Sequence, residues 1–287
     1  MTSNGIELNG LGYAGKRVTI TGCASGMGAS TARILGELGA EVHAIDIQTP
    51  SVPTATYHET DVGDPVSVAD TLNSLKAIGP IDFHFNCAGV PHTFGPLPVM
   101  KINWIGLRQL TEGLIPQIVD GGRIASISSG AGINFLANIA NVQQLLAISD
   151  PVDAAAWCEA HPEIIIEGYS FSKECIIVWT MQEAMPLAES RKIRINCIAP
   201  SPTNTAFMVP TIAEVGQAFF DAWPNPLFDR MCVPDEQAWP LIMLNSPLNS
   251  VVTGTVLWTD QGWAGGTYSG YFDTAALLSS VNPMLRE

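Results

Sequence analysis

Tyr169 and Lys173 are the pair of side chains whose types and spacing are most informative, because they lie four residues apart. On a helix, residues i and i+4 share a face, so this spacing places an ammonium beside a phenol. A free phenol has a pKa of about 10, and a nearby positive charge lowers that pKa by favouring the phenolate. The pair therefore predicts a tyrosine that exchanges a proton with an alcohol or carbonyl oxygen.

A glycine-rich turn, Gly22-Cys-Ala-Ser25-Gly26-Met27-Gly28, follows the first apolar strand and opens a helix. Its three glycines would allow a tight turn, a close approach of the backbone to a pyrophosphate, and close packing of helix on strand. The pyrophosphate would lie at the helix N-terminus, where unpaired N–H groups and the helix dipole favour an anion. The spacing is GxxxGxG instead of the general GxGxxG fingerprint, and it predicts a bound dinucleotide.

Asp46 lies at the end of the second strand, eighteen residues after Gly28. A carboxylate at this position accepts hydrogen bonds from the ribose hydroxyls and repels a 2′-phosphate. Neither Ser25 nor Ile47 is a basic residue that could pair with that phosphate. The sequence thus predicts NAD over NADP.

Short apolar strands alternate with longer helical segments along the chain, a pattern typical of βαβ units and a parallel sheet. The pattern predicts an α/β fold, a single doubly wound Rossmann-type domain with about seven parallel strands. The predicted strands are 16–21, 41–47, 57–62, 81–87, 123–128, 193–199 and 255–259, and the longer predicted helices are 65–78, 99–118 and 167–190. The segment 48–56 has two prolines and no helical period, so we expect the second crossover to be a loop.

Two longer segments, 133–166 and 206–234, follow the carboxyl ends of strands, where open sheets bind ligands. The first is an insertion before the Tyr169 helix and has partly helical patterning. The second is rich in Phe, Met, Trp and Pro, which is typical of an adaptable apolar pocket. It predicts a bulky apolar alcohol or ketone as substrate, although the same side chains could instead fill core and interface.

Composition narrows the class of protein. The 287 residues are 47% apolar and only 14% charged, and the formal net charge is −14. These values favour one large buried-sheet domain over residues 1–287, and they argue against a nucleic-acid partner. The six cysteines are scattered and form no CxxC pair, and the five histidines show no metal-binding spacing, so we expect reduced cysteines and no metal site. Residues 1–7 do not resemble a leader, and no apolar run is long enough to span a membrane. The sequence therefore predicts a cytoplasmic protein.

With these motifs in this order, the sequence from about Lys16 to Gly262 resembles the short-chain dehydrogenase/reductase family. Asn86-Cys-Ala88-Gly89 is similar to the family's Asn-Asn-Ala-Gly, with Cys87 in place of the second asparagine. The resemblance implies a catalytic tetrad of Asn103, Ser129, Tyr169 and Lys173. It also implies further cofactor contacts, in addition to those of the glycine turn and Asp46. These further contacts are Asp61, Val62, Asn86, Ala88, Gly89, Tyr169, Lys173, Pro200, Thr203 and Thr205.

The resemblance also assigns roles to these residues. Tyr169 would be the acid/base, Lys173 would bind the nicotinamide ribose, and Ser129 would hydrogen-bond the substrate oxygen. Asn103 would hold a water that links Lys173 to solvent. Ser201 replaces the glycine of the family's proline-glycine motif, which calls its local backbone geometry into question.

The gap from Ser129 to Tyr169 is forty residues long. In this long insertion and in its short second crossover, the sequence resembles the bacterial hydroxysteroid dehydrogenase/carbonyl reductase branch of the family. Because the insertion lies beside helices that many relatives use to form tetramers, we expect a homo-oligomer, dimer or tetramer, with another interface. The expected activity is NAD-dependent interconversion of a bulky secondary alcohol, such as a steroid, terpenoid or aryl carbinol, and its ketone. The alternatives are a non-catalytic NAD-binding sensor or scaffold and a dihydrodiol-type dehydrogenase.

Overall fold

A seven-stranded parallel sheet forms the centre of the protein, whose computed structural model describes residues 9–221 and 223–272. The strand order is β3-β2-β1-β4-β5-β6-β7, and every neighbouring pair is parallel. The order reverses between β1 and β4, which opens a crevice at the carboxyl ends of the strands. This arrangement confirms the predicted single α/β domain. The strands are β1 Arg17–Thr21, β2 Glu41–Asp46, β3 Thr56–Glu59, β4 Ile81–Asn86, β5 Ile118–Ile127, β6 Arg194–Pro200 and β7 Val256–Thr259.

Helices cover both faces of the sheet. Those between β1 and the end of β5 are α1 Gly26–Glu37, α2 Pro65–Leu75, α3 Pro96–Met100 and α4 Leu107–Leu114. Those that follow are α5 Ile139–Leu146, α6 Pro151–Ala160, α7 Pro162–Ile165, α8 Tyr169–Arg191, α9 Met208–Val215, α10 Gln217–Asp221, α11 Pro234–Asn245 and α12 Trp263–Tyr268.

The two faces of the sheet each have a buried apolar cluster. One packs β1 and β4 against α1 and α11 and includes Tyr13, whose hydroxyl donates to the carbonyl of Ile242 at 2.6 Å. The other packs the sheet against α4 and α8, with Trp104 and Trp179 in edge-to-face contact at 5.8 Å between ring centroids. Covering both faces explains why β1, β4 and β6 are almost continuously buried although they include polar residues.

Several predicted boundaries were wrong. β2 ends at Asp46, β3 ends at Glu59, three residues before the predicted end, and β5 begins at Ile118. The predicted helix 99–118 is α3, a π-helical segment Lys101–Gly106 and α4 in succession. At its end, Gly106 packs so closely on the carbonyl of Val62 that a Cβ there would overlap it. That contact depends on the fold and has no local sequence signal.

The segment 133–166 folds as α5, α6 and α7 and packs on α4 and α8. Arg108 of α4 donates to the carbonyls of Leu146 and Ile148 at 2.9 and 2.8 Å, which caps the end of α5. Asn138 donates to the buried carboxylate of Glu174 on α8 at 2.9 Å. The insertion is therefore fixed to both helices by hydrogen bonds as well as by apolar contacts.

The described ranges contain no helix that is both long enough and apolar enough to cross a membrane. They also contain no group of three or more side chains that could hold a metal ion. Some predictions concern residues outside the described ranges. They are the expectation about residues 1–7, the two ends of the predicted domain 1–287, and Ala222 in the segment 206–234.

Candidate active site

Tyr169 is the first residue of α8, and Gly168 determines where that helix begins. Gly168 has φ +78°, a conformation that L side chains rarely adopt. A Cβ on Gly168 would lie 2.5 Å from the carbonyl oxygen of Pro96. Glycine at this position therefore lets the start of α8 pack directly on the start of α3, and this contact places Tyr169 at the carboxyl end of the sheet.

Ser129, Tyr169 and Lys173 meet beyond the end of β5. The Ser129 hydroxyl lies near the Tyr169 hydroxyl and lowers the pKa of the phenol. The Lys173 ammonium lies 5.4 Å from the centre of the Tyr169 ring and donates to the carbonyl of Ile127 at 3.1 Å. Ser129 Oγ also accepts from the N–H of Ala131 at 3.1 Å, so its orientation is fixed by the turn that follows it.

The pKa values of these side chains move in the directions that burial dictates. Burial raises the pKa of Tyr169 to about 12, against an opposing effect of the nearby Ser129 hydroxyl. Burial lowers the pKa of Lys173 to about 8. The sequence predicted that Lys173 would lower the pKa of Tyr169, but in this arrangement the ammonium lies over the ring and is directed at the carbonyl of Ile127.

Ser128, which the sequence reasoning passed over, fixes the strand to the catalytic helix. Its buried hydroxyl donates to the carbonyl of Lys173 at 2.9 Å. Gly132 approaches the same carbonyl from the other side, where a Cβ would lie 3.2 Å from its oxygen. These contacts set the register between β5 and α8, and with it the distance from Ser129 to Tyr169. The only local sign was a second serine before Ser129.

Asn103 lies in the π-helical segment and is fully buried. Its Oδ1 accepts from the N–H of Val90 at 2.8 Å, and its Nδ2 donates to the carbonyl of Val90 at 2.9 Å. A Cβ on Gly89 would lie 3.2 Å from Asn103 Oδ1 and 3.7 Å from the Lys173 ammonium. The structure thus brings Gly89, Asn103 and Lys173 together, with the Asn103 side chain holding the loop after β4.

The glycine turn forms a cradle of bare backbone. A Cβ on Gly22, which has φ +67°, would lie 2.5 Å from the backbone of Ala88, and one on Gly28 would overlap the carbonyl of Gly22. A Cβ on Gly26 would meet the methyl of Thr205 at 3.4 Å. Gly26, predicted to lie at the pyrophosphate, and Thr205, predicted as a further cofactor contact, therefore face each other across the cradle.

Two side chains hold this turn in place. The carboxylate of Asp46 accepts from the N–H of Ala24 at 2.8 Å and from that of Gln48 at 2.9 Å. The hydroxyl of Thr21, which the prediction omitted, accepts from the N–H groups of Cys87 and Ala88 at 3.0 and 3.1 Å. Asp46 lies at the rim where the ribose was predicted, and its carboxylate also shapes the turn.

The remaining predicted contacts differ in how accessible they are. Asp61 is exposed and accepts from the N–H of Gly63 at 2.8 Å, whereas Val62 and Thr203 are buried. The Asn86 side chain is 1% exposed and donates to Thr111 and Ser126, so it joins β4 to β5 and α4 inside the sheet. A cofactor in the crevice could therefore contact only the backbone of Asn86, because its side chain is buried inside the sheet.

The segment after β6 begins with ordinary backbone geometry. Pro200 ends β6, and Ser201 is absent from the residues with positive φ in the described chain. Ser201 is buried and its N–H donates to the carbonyl of Thr259 at 3.3 Å, while its hydroxyl lies 3.4 Å from the sulfur of Cys232. Serine therefore replaces the glycine of the expected motif without strain.

These residues fit a dinucleotide. At Gly22 and Gly28 any larger residue would collide with the backbone, so the turn stays open. The N-terminus of α1 faces this turn, and the carboxylate of Asp46 lies at its rim. The reacting end of such a ligand would lie near Tyr169, Lys173 and Thr205.

Aromatic and charged side chains surround the mouth of the crevice. Phe207, just before α9, lies 5.8 Å from Tyr169 between ring centroids. Across the opening, His92 Nε2 lies 3.4 Å from a carboxylate oxygen of Glu214 on α9. The segment after β6 therefore covers the catalytic residues and contacts the loop after β4.

Comparison with known proteins gives two family matches and several similar proteins. The sequence model described as short chain dehydrogenase matches residues 16–141, and one described as enoyl-(acyl carrier protein) reductase matches residues 163–264. The chain is 32% identical to coniferyl-alcohol dehydrogenase from Pseudomonas sp. strain HR199 over 87% of this chain and 96% of that protein. It is 28% identical to 3-alpha-hydroxysteroid dehydrogenase/carbonyl reductase from Comamonas testosteroni over 85% of this chain and 95% of that protein.

A solved structure agrees with the fold. The 3-alpha-hydroxysteroid dehydrogenase from Pseudomonas sp. B-0831, complexed with NADH, superposes with a TM-score of 0.75 at 24% sequence identity. The match covers 90% of this chain and 100% of that chain. The seven-stranded sheet described above is therefore an architecture already seen in solved proteins.

Proposed function

The chain belongs to the short-chain dehydrogenase/reductase family of oxidoreductases. On that premise we propose that it transfers hydride between NAD and a bulky, largely apolar alcohol. The observation that carries the proposal is the meeting of Ser129, Tyr169 and Lys173 beside the glycine cradle. A sensor or scaffold that only bound NAD would not need a phenol beside a serine and a lysine at that point.

In the proposed mechanism, Tyr169 takes the proton of the alcohol during oxidation and returns it during ketone reduction. Ser129 holds the substrate oxygen next to the phenol and stabilises the charge that develops on it. Lys173 holds its ammonium within reach of the ring. A bound nicotinamide supplies the hydride chemistry.

The preference for NAD rests on Asp46. Its carboxylate lies at the rim of the cradle, held by Ala24 and Gln48, where a 2′-phosphate would meet a negative charge. The test is the ratio of kcat/KM values for NAD and NADP with one alcohol. We expect NAD to be preferred in the native protein and the ratio to fall in Asp46→Asn; a native preference for NADP would refute the assignment.

Apolar side chains at the mouth of the crevice support a bulky substrate. Phe207 packs on Tyr169, and Phe219 packs on Trp223 at 5.8 Å between ring centroids. The names of two relatives, one acting on coniferyl alcohol and one on hydroxysteroids, suggest an aryl or steroidal alcohol. The prediction of a secondary alcohol is thereby widened, because coniferyl alcohol is a primary one.

An absorbance screen for NADH formation tests this function directly. The panel contains coniferyl and cinnamyl alcohols, 1-arylethanols, monoterpenols, steroid alcohols and, as the contrasting class, small sugars and glycerol. We expect turnover of aryl or steroid alcohols. Turnover confined to the small polar compounds would refute the substrate class, and no turnover of any compound would refute the activity.

We also propose that the protein forms a homodimer through the β7 edge of the sheet. The insertion lies on α4 and α8, so the outer faces of those helices are partly occupied. Large apolar residues are exposed on α11, on β7 and in the segments on either side of β7, namely Trp239, Met243, Val251, Leu257 and Tyr268. An exposed edge strand flanked by apolar side chains is a typical interface between subunits.

A further inference from the structure

The helix that carries Tyr169 begins without the side-chain cap that helices commonly have. Gly168 occupies the N-cap position of α8 and makes no side-chain hydrogen bond. Serine, threonine, asparagine or aspartate usually supplies that bond. None of them fits here, because Gly168 has φ +78° and a Cβ would lie 2.5 Å from the carbonyl oxygen of Pro96. The first N–H groups of α8 therefore need an acceptor from elsewhere.

Glu167, the residue before Gly168, supplies this acceptor. Its two carboxylate oxygens lie 3.0 and 3.2 Å from the nitrogen of the Ser170 N–H, and one of them also accepts from the Ser170 hydroxyl at 2.5 Å. Ser170 is the second residue of α8. The helix dipole also favours a negative charge at this end of the helix. Glu167 thus replaces the cap that Gly168 lacks.

The turn that presents Glu167 has a strained backbone. Ile166 has φ +49° and ψ −105°, a conformation that a β-branched residue rarely adopts. Its side chain is 72% exposed, so burial of that side chain does not account for the conformation. The N–H of Ile166 donates to the carbonyl of Pro162 at 3.0 Å, and the N–H of Gly168 donates to that of Ile165 at 2.6 Å. Such strain persists where surrounding contacts impose it, and it is concentrated at functional sites.

Two other helices have the ordinary form of a carboxylate cap. Asp64 of α2 and Asp150 of α6 each occupy the N-cap position and accept from backbone N–H groups in the first turn. At α8 the carboxylate lies one residue earlier. This shift leaves Gly168 free to pack on α3, and it places a carboxylate two residues before Tyr169.

We propose that Glu167 is a positioning residue for the reaction, whose carboxylate caps α8 and so holds Tyr169 at the crevice beside Ser129. This role rests on the proposed function, because Glu167 acts through the tyrosine that exchanges the proton. Glu167 is half-buried in the turn between α7 and α8, and the sequence reasoning did not select it.

The carboxylate of Glu167 also acts on Tyr169 through its charge. Burial is the main cause of the raised pKa of Tyr169, the Ser129 hydroxyl opposes it, and the charge of Glu167 adds to it. Replacing the carboxylate with an amide should therefore lower the pKa of Tyr169. Because a phenol with a lower pKa gives up its proton more readily, the pH dependence of alcohol oxidation should move to lower pH.

Other titratable groups lie around the start of α8 and the opening of the crevice. They are Lys173 and the buried Glu174 on α8, the exposed Glu163 on α7, and the pair of His92 and Glu214 across the opening. The neighbouring elements otherwise present uncharged groups, namely Ser129 after β5, Pro96 of α3 and Phe207 before α9. All of these remain when Glu167 alone is replaced, so a difference in pH dependence reports on its carboxylate.

Two variants separate the cap from the charge. Glu167→Gln keeps an acceptor oxygen for Ser170 and loses the charge, whereas Glu167→Ala loses both. Both variants should move the pH dependence of kcat for oxidation to lower pH. In the free protein, Glu167→Ala should speed amide hydrogen exchange at the start of α8 roughly two- to thirtyfold, the value of a lost helix cap, while Glu167→Gln stays near native. At every pH, kcat should be several-fold lower in Glu167→Ala than in Glu167→Gln, because Tyr169 is less well placed.

Asp150→Asn is the matched control, because it neutralises the carboxylate that caps α6 in the insertion. It should keep the native pH dependence and the native exchange at α8, and unfolding midpoints show that each variant is folded. A native pH dependence in both Glu167 variants, native exchange in Glu167→Ala, or equal kcat in the two variants would overturn the role. The expected exchange in a protein that oxidises no alcohol would keep Glu167 as the cap of α8 and reject the proposed activity.

Discussion

The proton chemistry of the site depends on the half-buried Tyr169 and the buried Lys173, whose pKa values have moved in opposite directions. Burial raises the pKa of Tyr169 to about 12 and lowers that of Lys173 to about 8. Both shifts favour the neutral form, as expected when water is removed. Tyr169 is therefore protonated in the free protein at neutral pH, which suits ketone reduction, and alcohol oxidation requires that proton to leave.

Replacing Tyr169 with Phe tests the acid/base role. The change removes the hydroxyl next to Ser129 and keeps the ring that packs on Phe207. We expect kcat to fall roughly 10²- to 10⁴-fold, the usual contribution of general acid–base catalysis, with NAD affinity preserved. In the native protein the oxidation rate should rise with pH and the reduction rate should fall, because oxidation needs the phenolate and reduction the phenol.

Tyr271→Phe is the matched control for that variant, because Tyr271 is 81% exposed and distant in sequence from the catalytic residues. It should retain native turnover. Near-native turnover in Tyr169→Phe, measured with saturating NAD, would exclude tyrosine as the proton donor.

At the scale of elements, the start of α8 is the feature on which the site geometry depends most. Gly168 brings Tyr169 to the crevice by packing on Pro96, and Ser128 fixes Lys173 to the end of β5. These contacts join three elements that are far apart in sequence. A small displacement of α8 would therefore change the distances between Ser129, Tyr169 and Lys173 together.

Gly168→Ala tests this dependence. The added methyl would collide with the backbone of Pro96 in addition to straining a residue at φ +78°. We expect the unfolding free energy to fall by roughly 2–3 kcal/mol and kcat to fall as well, because backbone must move. Gly121→Ala is the control, since Gly121 also has φ +78° but has nothing within 4 Å of the new methyl.

The Gly121→Ala control separates the cost of backbone strain at positive φ from the cost of a collision with Pro96. Gly121→Ala should cost only about 1 kcal/mol, measured by urea unfolding, and leave kcat unchanged. If both variants lose the same stability and neither loses turnover, the contact between Gly168 and Pro96 does not position Tyr169.

Gln261 connects the end of β7 to the segment that covers the crevice. Its side-chain amide donates to Asn225 Oδ1 at 3.0 Å and to the Arg230 carbonyl at 3.1 Å, and its oxygen accepts from the N–H of Leu227 at 3.2 Å. The side chain thus fixes three points of one loop. Removing it should loosen that loop without touching the cofactor cradle.

We therefore expect Gln261→Ala to raise KM for a bulky alcohol several-fold and leave KM for NAD unchanged, since lost loop order weakens substrate binding. Limited proteolysis should cut residues 224–232 sooner. Gln217→Ala is the control, because among the described residues the Gln217 amide donates only to Asp221 within α10. A parallel rise in both KM values would mean that Gln261 supports the whole domain instead of the loop.

Residues close together in sequence could be predicted well, and contacts between distant segments could not. The spacing of Tyr169 and Lys173 and the glycine turn before α1 follow from local geometry, and the structure brings Tyr169 and Lys173 together as the spacing predicts. The collision at Gly168 and the burial of Asn86 depend on which elements pack together. The pKa of Tyr169 was predicted in the wrong direction for the same reason, because burial exceeds any effect of Lys173.

At the scale of the whole molecule, the β7 edge predicts a homodimer. Sedimentation should give twice the mass of one chain, and Leu257→Lys should shift the protein toward monomer, because a charge in an apolar interface is costly. The control is Val66→Lys on α2, an equally apolar residue that is 66% exposed on another face. A native monomer, or a dimer unaffected by Leu257→Lys, would refute this interface.

Beneath both helical layers, a polar network inside the sheet should make stability depend on pH. His84 is fully buried, with Nδ1 2.8 Å from the Thr19 hydroxyl and Nε2 2.9 Å from Asn86 Oδ1. The Asn245 side chain donates to the His84 carbonyl at 3.2 Å. No charged side chain is among these partners. Burial lowers the pKa of His84 to about 4, so the folded protein excludes a proton that the unfolded chain binds below about 6.5.

The unfolding free energy should consequently fall as the pH drops from 6.5 toward 4. By linkage, His84 alone contributes a loss of about 2 kcal/mol between pH 7.5 and 5. Urea unfolding at one fixed protein concentration measures it, because a dimer makes stability depend on concentration. His84→Gln should lower stability at pH 7.5 but flatten the pH dependence. Asn245→Ala, which keeps the histidine and loses a hydrogen bond, should lower stability equally at both pH values. An equal slope in His84→Gln and the native protein would place the acid sensitivity elsewhere.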